Sequence, residues 1–382
     1  MSYLEYRITS IPSGLRKVLY INWAIVILII SISTVGFLML YSISGGSFEP
    51  WAGQQIKRFV LFLIMMFLIA MIPIWFWRNM SILAYIIALV LLVLVGFIGS
   101  QGMGAQRWID LGFIKLQPSE LAKLALVMIL AAYYDALPAG KTSKPFWVLL
   151  PVVITLIPTL IVLHQPDLGT ALLILVTGAT VIFLAGVHWA YFVSVFATSL
   201  VTVAIVFQSR GTQWQLLNDY QYRRIDTFID PSKDPLGAGY HITQSKIALG
   251  SGSFSGRGFM QGTQSRLNFL PEKHTDFIFT TLAEEFGFIG GISLLVMYVV
   301  LLIFCLWSAL QARDRYSSLL ISGISMTFFL FFAVNMSMVM GLLPVVGVPL
   351  PLVSWGGSAM LVLMIGFGLI QSAHVHKPRT EK

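Results

Sequence analysis

The chain has 382 residues, 57% of them hydrophobic and only 10% charged, against about 25% charged in an ordinary soluble domain. This composition excludes a soluble enzyme, a disordered tail and an ordinary nucleic-acid reader. The net charge of +8 is assigned to short loops and tails, where basic residues orient helices in a bilayer.

The polar stretch Met1–Lys17 lacks the layout of a cleavable signal, so the first helix is expected to stay as an anchor. Ten apolar runs long enough to cross a bilayer follow: Leu19–Tyr41, Phe59–Trp77, Ser81–Ile98, Ser119–Tyr134, Phe146–Leu163, Leu168–Val187, Trp189–Phe207, Phe277–Trp307, Ser317–Met340 and Leu352–Ile370. The fifth contains Pro151 and Pro158, which predicts a kink. The eighth is too long for one crossing, and its first turns, with Glu284 and Glu285, are expected to project from or line a wet cavity. Cys305, the single cysteine, lies within it, so no intrachain disulfide or thiolate metal site forms.

The predicted fold class is therefore an all-α polytopic membrane protein. A single transmembrane domain spans 1–382, with one large outer loop, 208–276, between helices 7 and 8. That loop is too long for a bare connection and is expected to carry function; it reads as part helical and part Gly/Ser-rich (GSGSFSGRG). Ten spans put both termini on one side. The short loops and tails of that side hold eleven basic residues, among them Arg16, Lys17, Arg78, Arg313 and Arg315. The opposite side holds four: Lys57, Arg58, Arg107 and Lys115. The termini are expected in the cytoplasm.

Ionisable residues near membrane spans are costly and usually functional. Glu120 and Lys123 open span four in QPSELAK, Asp167 precedes span six in HQPDLGT, and Asp276 precedes span eight in LPEKHTDFIF. PLVSWGGS, with Ser354, opens span ten. With the termini inside, all four motifs start at the outer face. That face has no nucleotide pool, so chemistry there needs hydrolysis or a substrate with its own leaving group, such as a lipid-linked diphosphate.

Each residue has two readings. Asp276 is either a helix cap, with Thr275 as the other candidate, or a general base; His274 either tunes it or is an interfacial polar residue. Glu120 and Lys123 share a helix face at i, i+3, as an ion pair or as a lysine held toward an anion. Pro118 fits the first turn of that helix, with Ser119 as a nearby cap. Arg58 and Arg107 stand outside against the positive-inside trend, as phosphate contacts or interfacial anchors. Asp167 is a cap or a site residue. The glycines of PLVSWGGS permit close helix packing or the approach of a ligand. HExxH, Walker A, GxGxxG and SxxK motifs are absent. The sequon at Asn335 is discounted because it falls inside a span.

GAQRWIDLGFIKLQPSELAK, HQPDLGTALL, GRGFMQGTQSRLNFLPEKHTDFIFTTLAEEFGFIGG and MGLLPVVGVPLPLVSWGGSAM, in that order along nearly the whole chain, resemble the SEDS family (shape, elongation, division and sporulation). The short tails and the GTQ segment resemble its RodA branch more than its FtsW branch. The resemblance implies a peptidoglycan glycosyltransferase that polymerises lipid II at the outer face of the bacterial cytoplasmic membrane, serving elongation with a class B penicillin-binding protein. It places the family's essential aspartate on Asp276, its Glu and Lys on Glu120 and Lys123, and its motif Arg and Asp on Arg107 and Asp167. Arg58, Arg107 and Lys123, with or without a divalent cation (Mg or Mn), are expected to offset diphosphate charge. Asp167, His274 and Ser354 are expected at the substrate. A lipid II flippase and a pure scaffold are the rival readings; a flippase predicts polar groups along a path through the membrane rather than at one face.

Overall fold

The computed structural model describes residues 9–10, 14–102, 105–110, 112, 115–216, 219, 222, 226–227, 230, 238–266, 272–377 and 379–380. Every predicted span is a helix: α1 Trp23–Ile43, α2 Ala52–Met71, α3 Ile74–Ile98, α4 Pro118–Ala136, α5 Pro145–His164, α6 Leu168–Leu184 and α7 Trp189–Ser209. After the long loop come α10 Ile278–Leu310, α11 Arg315–Val339 and α12 Gly357–Val375. Eight of these are long and apolar enough to cross a membrane on that count alone. The other two are α6, with 17 residues, and α4, which carries Glu120, Lys123 and Asp135. Among the described residues, the long loop holds α8 Ala238–Ser251 and the single turn α9 Thr263–Arg266.

Helices α4, α11 and α12 form the enclosed centre, and α7 has no buried residue. At 1.5 Å per residue, the 33 residues of α10 would run about 50 Å, against about 30 Å of hydrocarbon. The helix breaks at Gly287, whose φ of 66° and ψ of −160° suit a residue without a Cβ. The Gly/Ser-rich segment packs into the break: Phe288 and Ile289 N–H donate to Ser253 O (3.0 Å) and Phe254 O (3.2 Å). Glu284 and Glu285 are consequently buried rather than facing a wet cavity. Glu284 Oε1 caps α9, accepting from the N–H groups of Thr263 (2.7 Å) and Gln264 (2.9 Å), and Glu285 accepts from the Ser42 hydroxyl.

Helix α5 runs continuously through both prolines. A proline lacks the N–H that would bond the carbonyl four residues back. The carbonyl freed by Pro151 is Trp147 O, which accepts from Tyr133 Oη at 2.8 Å; the one freed by Pro158 is Ile154 O, which accepts from Tyr85 Oη at 2.6 Å. The connection between α3 and α4 departs from the all-helical expectation. It folds into a small antiparallel sheet, β2 Ser100–Gly102, β3 Ala105–Asp110 and β4 Lys115–Leu116. Residues near the two ends also pair, β1 Thr9–Ser10 against β5 Arg379–Thr380, which an even number of spans permits.

Candidate active site

The segment Glu272–Phe277 leads into α10 as a turn whose carbonyls are taken one after another. His274 O accepts from the Trp355 N–H (2.9 Å), Thr275 O from Ser354 Oγ (2.6 Å) and Asp276 O from Asn335 Nδ2 (2.8 Å). Neither Asp276 nor Thr275 caps the helix. Phe277 stands at the N-cap without a side-chain bond, and Thr275 Oγ1 donates to Glu272 Oε2 (2.7 Å). Among the described residues, no group donates a hydrogen bond to the Asp276 carboxylate. Burial, and after it the neighbouring Glu272 carboxylate, push its carboxyl from 3.8 up to about 7. An unpaired, partly accessible carboxylate with a pKa near neutrality has the properties of a general base.

A cluster of rings flanks this turn. His274 stacks on Trp51 (4.1 Å, 17°) and meets the edge of Trp355 (5.9 Å), and Arg58 Cζ lies 5.3 Å from the Trp355 ring centre. Burial lowers the His274 pKa, opposed by Glu272 and reinforced by Lys273, which favours a neutral imidazole at pH 7. Gln55 Nε2 donates to Ser354 O (2.9 Å). Ser354 is thus committed on every side: its hydroxyl donates to Thr275 O and accepts from Leu350 N–H (2.8 Å). It holds the turn in place instead of facing outward.

Arg107, on β3, reaches the start of α6. It donates to Pro166 O (2.7 Å) and pairs with Asp167 at 3.4 Å. Asp167 caps α6, accepting from Thr170 N–H (3.1 Å) and Oγ1 (2.9 Å), so its capping reading is realised. This corner adjoins Asp276 through two glycines: Gly169 packs against Val346, and Gly347 against the Asp276 carboxylate.

Glu120 and Lys123 form a buried pair (2.8 Å) inside the bundle, and Lys123 Nζ lies 3.9 Å from the Phe331 ring centre. Ser119 does not cap α4; Pro118 occupies its first turn and Gln117 its N-cap position. A cavity of about 20 Å³, room for one water, is lined by Glu120, Lys123, Thr327, Phe331 and Leu363. A second, of about 10 Å³, shares Phe331 and Leu363 and extends to Ser354 and Gly356. Gln117 N–H donates to Ser358 Oγ (2.9 Å), tying the start of α4 to α12. The four motifs therefore meet at one end of the bundle, with the Glu120–Lys123 pair set deeper than the rest.

Sequence reasoning did not assign Trp51, Gln55 or Trp355, or the tether made by Asn335. A signal existed for Asn335, an amide in an apolar span that is fully enclosed. The described residues include no group of three metal-ligating side chains, and Glu120 and Asp167 each face a cation of the protein itself. These residues do not fit a resident divalent ion.

Fold and site together define a polytopic membrane protein with a candidate acid–base centre at one end of its bundle. A family model described as cell cycle protein, covering FtsW, RodA and SpoVE, matches residues 22–379. The peptidoglycan glycosyltransferase MrdB of Escherichia coli K12 is 40% identical over 369 residues, 95% of this chain and 96% of its own. A chain of a solved peptidoglycan synthase complex, reported for its coordination of polymerization and crosslinking, superposes with a TM-score of 0.79 at 30% identity, covering 93% of this chain and 97% of its own. The crystal structure of the rod shape determining protein RodA of Thermus thermophilus gives 0.68 at 28%, covering 93% and 96%. This chain belongs to the FtsW, RodA and SpoVE family.

Proposed function

We propose that this chain is a RodA-like peptidoglycan glycosyltransferase, polymerising lipid II for cell elongation with Asp276 as general base. The observation that carries the reading is the Asp276 carboxylate, which meets no donor among the described residues and has its pKa raised toward 7, at the end where the four motifs meet. The likeness to MrdB over 95% of the chain supports the reaction class.

In this mechanism, Asp276 takes the proton of the 4-hydroxyl of the acceptor N-acetylglucosamine. The oxygen attacks C1 of the terminal N-acetylmuramic acid of the growing strand. The C1–O bond to undecaprenyl diphosphate breaks, with inversion, and the diphosphate carries away the bonding pair. Arg58 is the cation best suited to that diphosphate, since it is partly accessible, lies over Trp355 and has no carboxylate partner among the described residues. Arg107 and Lys123, each already facing a carboxylate, contribute by shaping the site and by their remaining field. A divalent cation, in this reading, arrives with the diphosphate as part of the substrate.

The excess of basic residues in the loops on the side of the termini supports cytoplasmic ends and an outward-facing Asp276. The likeness to the synthase complex supports a class B penicillin-binding protein as partner, supplying the crosslinking.

The test is polymerisation of purified lipid II, with and without that partner and with Mg²⁺, Mn²⁺ or chelator. The wild type should give moenomycin-insensitive glycan and Asp276→Ala should give none. Lipid II crossing vesicles without polymer, in any pairing, would overturn the reading in favour of a transporter.

A further inference from the structure

Asn335 lies in α11 with no exposed surface. Its amide nitrogen donates to two carbonyls that are far apart in sequence, Asp276 O at 2.8 Å and Val348 O at 2.6 Å. Both partners are acceptors only, so Nδ2, with its two hydrogens, is the atom that must face them. Val348 follows Gly347, whose φ is +76°. A Cβ placed on Gly347 would lie 3.5 Å from Asp276 Oδ2. One side chain thus ties the backbone that carries the carboxylate to the backbone that walls it.

The other two tethers of the turn, at His274 O and Thr275 O, come from the loop residues Trp355 and Ser354. Asn335 alone of the three stands on a bundle helix, and it fixes the turn to the core. It does so while Oδ1 remains buried without a partner among the described residues, an arrangement that costs stability. A leucine would fill the same helix position without an orphaned acceptor. The amide is explained by the two carbonyls it serves.

We infer that Asn335 is a positioning residue, holding the Asp276 carboxylate against Gly347 at the point from which it reaches the substrate hydroxyl. The inference rests on the reading of Asp276 as the base. It does not make Asn335 a contact of the substrate, so its loss acts on turnover rather than on binding.

The test uses the full-length protein in lipid nanodiscs, with lipid II polymerisation followed against substrate concentration and pH. Wild type, Asp276→Ala, Asn335→Leu and Asn335→Asp are compared. A base misplaced by an ångström loses on the order of 10²-fold in rate. Both Asn335 variants should therefore lose about 10- to 100-fold in kcat, with KM within about twofold of wild type. For Asn335→Leu the acid limb of the kcat profile should also move to lower pH, because a loosened carboxylate gains water; Asn335→Asp adds a second carboxylate near Asp276, so it is read in kcat and KM alone.

Full activity in Asp276→Ala would overturn the base and the positioning role together. An inactive Asp276→Ala beside Asn335 variants with normal kcat and normal acid limb would overturn the positioning role alone. A loss of kcat in Asn335→Leu with the acid limb unmoved would make Asn335 a packing residue, as would failure of both variants to fold, and either would overturn the inference.

Discussion

At the end of the bundle that holds both termini, Arg78, Asp135, Asp314 and Arg315 are matched. Asp135 pairs with Arg78 (3.0 Å) and accepts from the Tyr316 N–H (3.2 Å), and Asp314 caps α11 through the Ser317 N–H (2.8 Å). Arg315 donates to Leu137 O (2.9 Å) and Ala185 O (2.8 Å), at the C-terminal ends of α4 and α6, where a cation also meets the negative end of each helix dipole. At the opposite end the side chain of Asp276 meets no donor among the described residues, while the carbonyls of His274, Thr275 and Asp276 are each tethered. The same fold satisfies these charges where it needs strength and leaves the Asp276 carboxylate without a donor among the described residues, on a tethered backbone, where it needs reactivity.

The largest effect should come from removing that one group. Asp276→Asn keeps the shape and loses the base, and polymerisation should fall about 10²-fold or more. In the wild type, activity should fall as the pH drops through about 7, because protonated Asp276 cannot accept the substrate proton. The stability effect has the opposite sign. Burial raises the carboxyl above its unfolded value, so stability is lost as the pH rises and the group ionises in the folded state. Asp276→Asn should therefore melt at a higher temperature than wild type at pH 8 and at nearly the same temperature at pH 4. A variant less stable at pH 8 would mean that the ionised carboxylate has a partner, and the contrast between the two ends would fail.

The next effect tests the charge pair set deeper at the reactive end. Lys123→Met leaves the Glu120 carboxylate buried without its partner, and breaking such a pair by removing one member costs about 3–5 kcal/mol. The expected readout is little folded protein in membranes. Glu120→Gln combined with Lys123→Met should recover folded protein, since no lone charge remains. Recovery of folding without recovery of polymerisation would give the pair a chemical duty in addition to its structural one. Asp167→Ala should cost less, about 0.5–2 kcal/mol for a lost helix cap, read as a lowered melting temperature. Arg107 loses its ion partner in that variant and keeps its bond to Pro166 O.

The helices were legible because spanning a bilayer demands long apolar runs, and the chain supplies ten. The break in α10 was half legible: its excess length was plain, but Gly287 is one of 32 glycines and only its packing against Gly256 singles it out. Asp276 was legible as a charge at the mouth of a span. The surroundings of Asp276 were not. The stack of Trp51 on His274 and the bond from Asn335 to Asp276 O join residues 223 and 59 positions apart, and no local pattern encodes such contacts. The tyrosines that serve the proline-freed carbonyls were hidden for the same reason, since Tyr85 and Ile154 are 69 positions apart. The strands between α3 and α4 escaped notice because strands of two to six residues are set by their pairing more than by their composition.

The smallest effect is the control for the whole comparison. Arg78 pairs with Asp135 at 3.0 Å, but its side chain is 50% exposed. An exposed ion pair contributes only about 0.2–1 kcal/mol. After Arg78→Ala, Asp135 keeps the Tyr316 N–H at 3.2 Å. The carboxylate is 12% exposed, so water can replace the lost guanidinium. The melting temperature should drop only slightly, and kcat and its pH profile should not change, because nothing in the matched end reaches Asp276 through a tether. A large fall in kcat with an intact fold would show that the two ends are energetically coupled through α4 and α11. The division of labour between a structural end and a reactive end would then have to give way to a single cooperative unit.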